Sequence, residues 1–400
     1  MENYKLFTLL KNSIVQILKK TRAFSRRLIS CTLGKNNKFI IIIEKERSEK
    51  SHNLNKPLKF YIPDAIDEKI QTSKRVPIKK LLSGNSILID KKITGFSKFI
   101  YGLFENIFLV DNSHHASAWE WIRFSTHFYS HEPDFDIAKL RLSEAIKLAA
   151  GANAYSCAHV FGTGPSLDKA ADIKFEKGFK IVCNTIVRDA KLFKKLKPNF
   201  IVAGDAVYHF SFSEFACAFR HDLLRRLKES NTFFVYPAIF DVLVQRDFGE
   251  VSSQLIPVPI GTHKKIEINL LKEFSLPSLG NILPLLQLPL ACTLSNKVFL
   301  WGFDGKSPND KLNPFWANSN KHSYPELMHT LKTDFPGFFY HHAPKNNSSN
   351  YINSVHGDIL DDCLKRAELQ GFSFEMLHPS WTKTLNKRYK GNSSKEEYFI

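Results

Sequence analysis

Ala158-His159-Val160-Phe161-Gly162-Thr163-Gly164-Pro165-Ser166-Leu167 is the stretch on which the reading of this chain turns. Residues 158–161 have the largely apolar character of a short buried strand, and residues 168–171 open a helix. Between them, Gly162 and Gly164 permit a tight turn and the close approach of a ligand that a Cβ would block. Pro165 suits the first helical position, where a missing N–H costs nothing. The other N–H groups of that first turn point beyond the strand, where an anion is the favoured guest. The turn reads either as a phosphate cradle or as a plain strand-to-helix connection.

Outward from this turn the alternation repeats. Strands are expected at 158–162, 179–183, 199–203, 232–236, 255–259, 297–302 and 372–377, and helices at 166–171, 189–196, 213–229, 239–247, 279–291 and 356–370. Strands alternating with helices predict an α/β, Rossmann-like domain over 146–400, with a mostly parallel sheet and helices on both faces. Residues 1–145 read as a smaller α+β accessory region, with strands over 38–44, 86–90 and 107–110, helices over 119–127 and 137–150, and a polar loop over 47–56. Residues 4–28 form an amphipathic basic pattern. Leu6, Leu9, Leu10, Ile14, Ile17 and Leu18 share a face, and Lys11, Lys19, Lys20, Arg22, Arg26 and Arg27 add charge. Such a helix suits peripheral contact with an anionic membrane or packing on the domain behind it.

Composition narrows the partners. The 400 residues, 43% hydrophobic and 24% charged, are enough for a sizeable core, and the formal net charge is +17. That excess favours anionic ligands: nucleotides, phosphorylated glycolipids or acidic membranes. The lysines are diffuse and no nucleic-acid-binding motif is present, so nucleic acid is not an expected partner. Six cysteines without a Cys-x-x-Cys pair argue against zinc and against a disulfide framework, and fit a reducing cytoplasm. No secretory h-region follows the first lysines. The longest apolar run, 279–294, is broken by Pro284 and Pro289 and interrupted by Asn281 and Gln287. The expected place is the cytoplasm, including the inner face of the cell membrane.

In parallel α/β sheets ligands bind beyond the carboxyl ends of the strands. Polar residues gather there: the turn ending at Ser166, then Asn184, Asp205 in Gly204-Asp205-Ala206, Asp304 in Gly302-Phe303-Asp304-Gly305, and His378-Pro379-Ser380. Asn184 reads as a helix cap or as a donor and acceptor for a base or ribose. Asp205 reads as a turn former, or as a ligand of ribose hydroxyls or magnesium. Asp304 braces its own turn or joins Asp205 on the metal. Ser166 is satisfied by its helix or touches the ligand. His356, at the start of the last long helix, is the candidate general base, with a surface histidine as the plainer reading. His322, His341, His342 and Tyr324 are its rivals. No histidine spacing fits a zinc site.

In this order, Gly-x-Gly-Pro-Ser-Leu, Cys-Asn, hydrophobic-Gly-x-Asp and a late His ahead of Pro-Ser, the chain resembles two related bacterial groups over 155–385. One is glycosyltransferase family 42, the lipooligosaccharide sialyltransferases. The other is the 6-hydroxymethylpterin diphosphokinase MptE-like group, which includes motility-associated-factor flagellin glycosyltransferases. The resemblance to the sialyltransferases implies that Gly162, Gly164, Ser166 and Asn184 hold the nucleotide of a CMP-activated sugar. Thr163, Pro165, Asp205 and Asp304 complete the expected nucleotide-binding set. It also implies that His356 takes the proton of the acceptor hydroxyl; Tyr324, farther along than the family's tyrosines, and His322 are the candidate contacts of the departing phosphate. The sequence departs from that family at Thr163 and Asp205, where the family has asparagines, and at Gly305-Lys306, where the family has tyrosines. Asp205 after Pro198-Asn199-Phe200 is closer to the diphosphokinase-like group.

The expectation is thus a sialyltransferase-like glycosyltransferase. It would move a sugar from a nucleotide-sugar donor to a surface glycan, glycolipid or protein, as in lipopolysaccharide biosynthesis. It would need no cofactor unless Asp205 and Asp304 hold Mg2+. The alternatives are an ATP- and magnesium-dependent diphosphokinase and a non-catalytic nucleotide-binding module. Fold alone does not choose among them.

Overall fold

The computed structural model describes residues 40–44, 54–65, 70–73, 85–91, 104, 106–151, 155–307, 320–342 and 358–391. They divide into two compact units, Met1–Ser130 and His131–Ile400. The expected helix over 4–28 and the candidate base His356 lie outside the described residues.

In the first unit, β1 (Ile40–Glu44), β2 (Ile70–Ser73), β3 (Ser86–Asp90) and β4 (Ile107–Leu109) form a sheet in the order β2-β1-β3-β4. Every pairing is parallel, so this unit too has an α/β pattern. Its core stacks Tyr61 on Trp121 at 5.5 Å, with Phe124 edge-on to both Trp121 and Phe108. Tyr61 belongs to the helix Asn55–Tyr61, which starts inside the stretch read from sequence as a loop. Pro57 near its start and the buried pair Leu58 and Tyr61, three residues apart, explain the difference.

The second unit carries seven parallel strands among its described residues: β5 (Ala158–Phe161), β6 (Phe179–Cys183), β7 (Phe200–Val202), β8 (Phe233–Pro237), β9 (Leu255–Val258), β10 (Lys297–Trp301) and β11 (Ser373–Met376). The order is β11-β10-β5-β6-β7-β8-β9. Each lies within one residue of its expected position at either end. This is an α/β, Rossmann-like sheet, and both its faces are covered. Ala158, Val160, Ile181, Cys183, Val298 and Leu300 bury against the helices Phe135–Ala150, Leu288–Leu294 and Asp358–Glu368. Their neighbours of opposite parity, His159, Phe161, Val182, Phe299 and Trp301, are buried on the other face, where Phe175 packs edge-on to His159, Phe161 and Trp301. Strands buried on both faces read as continuous apolar runs, which is why the sequence showed them.

Two expectations shift. The units divide at Ser130, earlier than residue 145, because Leu142 and Ala145 of the helix Phe135–Ala150 join the core of the seven-stranded sheet. The helix expected at 279–291 begins as a π-helical turn, Leu283–Gln287, and continues as an α-helix over Leu288–Leu294. Pro289 has no N–H to give Leu285, and Leu288 N–H reaches five residues back to the Leu283 carbonyl. Among the described residues, no helix is long and apolar enough to cross a membrane.

Candidate functional site

The strand order reverses at β5, whose neighbours are β6 on one side and β10 on the other. The carboxyl ends of β5 and β10 therefore meet at the switch point, where α/β sheets open a crevice. Here the two loops are stitched together. Gly162 N–H donates to the Trp301 carbonyl at 2.7 Å and Gly164 N–H to the Gly302 carbonyl at 2.8 Å. A Cβ on Gly162 would sit 2.6 Å from the Gly302 oxygen, and one on Gly164 would run into Asp304 Oδ2. The glycines serve this backbone approach.

The 3-10 helix Pro165–Asp172 follows, with Pro165 at its start as the sequence predicts. Its anion is already in place. Ser166 N–H lies 3.1 and 3.2 Å from the two carboxylate oxygens of Asp304, and Ser166 Oγ is 2.9 Å from Oδ2. The expected phosphate cradle is thus capped by the protein's own carboxylate, at least at Ser166. Asp304 braces the turn of residues 162–166 from the neighbouring loop.

His378, just after β11, completes the hub. Gly302 N–H donates to His378 Nε2 at 3.0 Å, and His378 Nδ1 faces the Pro379 carbonyl at 2.7 Å. The ring is therefore neutral, with its proton on Nδ1. Burial lowers its pKa and outweighs the Asp304 carboxylate, which raises it. Ser166 Oγ also lies 2.9 Å from Nε2. Because that nitrogen's single lone pair already accepts from Gly302, the Ser166 hydroxyl gives its proton to Asp304. Ser380 Oγ donates to the Phe303 carbonyl at 2.6 Å and Trp301 Nε1 to the Ser166 carbonyl at 2.9 Å. The His-Pro-Ser segment noticed in the sequence thus serves as a clamp on the Asp304 loop.

Beside this closed hub stands the end of β6. Asn184 takes a left-handed backbone, φ 50°, a conformation that asparagine tolerates at some cost. Its Oδ1 is buried without a hydrogen-bond partner. Gln287, at the end of the π-helical turn, is fully buried. Its Nε2 donates to the Phe161 carbonyl at 2.9 Å, while its Oε1 is also buried and unpartnered. The Gln287 side chain also reaches the thiol of Cys183, the residue before Asn184. Two unmet acceptors thus stand near the ends of β5 and β6, each at a cost of about 1–3 kcal/mol. An N–H or O–H donor, such as a base amine or a ribose hydroxyl, would satisfy either one.

The remaining candidates occupy defined places. Asp205, after β7, accepts at Oδ1 from Val207 N–H and Tyr208 N–H, both at 2.8 Å, so one oxygen forms a turn. Burial raises its pKa and these two amides oppose the rise. Thr163, between the two glycines, is half-buried. His322 is 1% exposed, with Nε2 3.1 Å from Asp168 Oδ1 and Nδ1 3.5 Å from Asp189 Oδ2. Its carbonyl accepts from Thr185 Oγ1, which ties it to the residue after Asn184. Burial lowers its pKa in spite of the two carboxylates. Tyr324 is committed elsewhere: its hydroxyl donates to Asp222 at 2.6 Å, and Arg188 lies over its ring at 4.9 Å. Burial first, then that hydrogen bond, raises its pKa.

Asp205 and Asp304, named as magnesium ligands, both serve as turn acceptors. Among the described residues, no group of three His, Cys, Asp or Glu side chains is arranged to hold a metal ion. Sequence reading passed over Gln287 and over His378 as the partner of Gly302. The signal for Gln287 was there, one of two amides that interrupt the apolar run 279–294. Compared with known proteins, the chain matches no protein-family model and no curated protein.

Proposed function

We propose that this chain is a glycosyltransferase. It would bind a nucleotide-activated sugar, with a CMP-nonulosonic acid-like donor favoured, at the carboxyl edge of the seven-stranded sheet and pass the sugar to a glycan, glycolipid or protein acceptor. The observation that carries the nucleotide part is Asn184, held left-handed at the end of β6 with an unmet buried acceptor. The sugar part rests on the ordered motifs.

In this reading Asn184 Oδ1 and Gln287 Oε1 accept hydrogen bonds from the base or ribose. His356 removes the proton from the acceptor hydroxyl as that oxygen attacks the anomeric carbon, and the nucleotide phosphate leaves. Because Asp304 caps Ser166, the phosphate charge falls to side chains on these loops. Lys169, near enough to His378 to act on its pKa, and Lys306 are the candidates. Attack and departure on opposite sides of one carbon invert its configuration. The positive net charge suits an anionic donor and a phosphorylated glycolipid at the inner leaflet. The engagement of Asp205 and Asp304 as turn acceptors favours this reading over the magnesium-dependent diphosphokinase.

A thermal-shift screen with CMP, CDP, UDP, GDP and ATP, each with and without magnesium, tests the proposal. At a hundred times Kd a ligand adds about 2.7 kcal/mol, a rise of about 5–10 °C for a domain of this size. The expected pattern is a rise of that order with CMP and no metal. A rise only with ATP plus magnesium turns the assignment to the diphosphokinase, and no rise with any nucleotide removes it.

A further inference from the structure

At the other end of β6 from Asn184, about 13 Å along the strand, lies a cavity of about 380 Å³. Its wall carries Lys174, Lys180 and Lys195, one carboxylate, Asp172, and the ring of Phe175. Three lysines against one aspartate leave an excess of positive charge. Some lysines of this unit are paired, among them Lys228 with Glu250, Lys365 with Asp361 and Lys390 with Glu375. Lys174, Lys180 and Lys195 have no carboxylate within ion-pair distance among the described residues.

Helix-dipole compensation accounts for Lys195, which sits in the last turn of the helix Ala190–Leu196. It does not account for Lys180, which stands in a strand where its neighbours Phe179 and Ile181 are buried. Burial, and then repulsion from Lys197, lower the pKa of Lys180, so its charge is held there at a cost. A bound anion would offset that cost.

We propose that this cavity is a second anion site, which takes a phosphate or diphosphate group through Lys174, Lys180 and Lys195. The chemistry is shared by a free phosphate ester and by a lipid headgroup. It does not depend on the assignment of the carboxyl-edge site.

Calorimetry with inorganic pyrophosphate at about 0.15 M salt tests it, alongside sedimentation with phosphatidylcholine vesicles with and without phosphatidic acid. The double variant Lys174→Ala, Lys195→Ala alters exposed side chains and leaves the core intact. Lys180→Met keeps most of the volume and removes the charge. Both variants should weaken pyrophosphate binding at least about tenfold, in line with loss of charge-assisted contacts, and leave any CMP response unchanged. Variant-sensitive binding to acidic vesicles without pyrophosphate binding identifies a lipid headgroup instead, and equally supports the site. Absence of both kinds of binding, or binding equal in wild type and variants, overturns it.

Discussion

Gly302→Ala should cost about 4–5 kcal/mol, a large share of the roughly 5–15 kcal/mol that holds a typical domain folded. Two effects combine. Gly302 has φ 80°, where a side chain is strained by about 1–2 kcal/mol. The added Cβ would also press onto the Gly162 carbonyl oxygen and lie 2.8 Å from the Gly162 carbon. Neither backbone can yield without breaking the bonds from Gly162 to Trp301 and from Gly164 to Gly302. Gly371→Ala separates the two effects. Gly371 has φ 90° but nothing within 4 Å of its absent Cβ. Its loss should be about 1–2 kcal/mol, the backbone part alone. Urea denaturation of both variants measures the difference. Equal losses would mean that the close approach of the β5 and β10 loops contributes nothing.

Asp304→Ala should cost about 2–3 kcal/mol, the range of a charge-assisted hydrogen bond lost from a partly buried donor. It also carries a second, more specific expectation. With the carboxylate gone, the Ser166 N–H at the start of the helix Pro165–Asp172 loses its anion and becomes available to one from solution. Inorganic phosphate should therefore raise the melting temperature of the variant more than that of the wild type. Asp304→Asn, which keeps an acceptor oxygen without the charge, should fall between the two in stability. If phosphate raises wild type and Asp304→Ala equally, the self-capped turn is not an anion site in either form.

The sheet was legible because its chemistry is local. A parallel strand buried on both faces is an apolar run bounded by turns, and seven such runs sit where they were read. The glycine turn was legible as geometry but not as contents. Asp304, which fills it, is 138 positions from Ser166, and His378 is 212 away. No spacing rule announces such partners. The π-helical turn was hidden for another reason. Pro284 and Pro289 broke the apolar run in the sequence, but in the fold they redirect its hydrogen bonds and bring Gln287 to the Phe161 carbonyl. Asn184 lay between these cases. Its place after a strand was visible, and asparagine tolerates a left-handed backbone, but its unmet Oδ1 is a property of the packed structure.

That atom offers the most direct test of the nucleotide site. Asn184→Gly retains the left-handed backbone, where glycine carries no steric penalty, and removes the unmet acceptor. A calorimetric titration of CMP, without metal, into wild type and Asn184→Gly compares the two. The variant should be at least as stable as wild type and should bind CMP at least about tenfold more weakly, as expected for loss of a buried hydrogen bond to the ligand. Equal CMP binding by the two proteins, or no CMP binding by wild type, would contradict a nucleotide site built on Asn184.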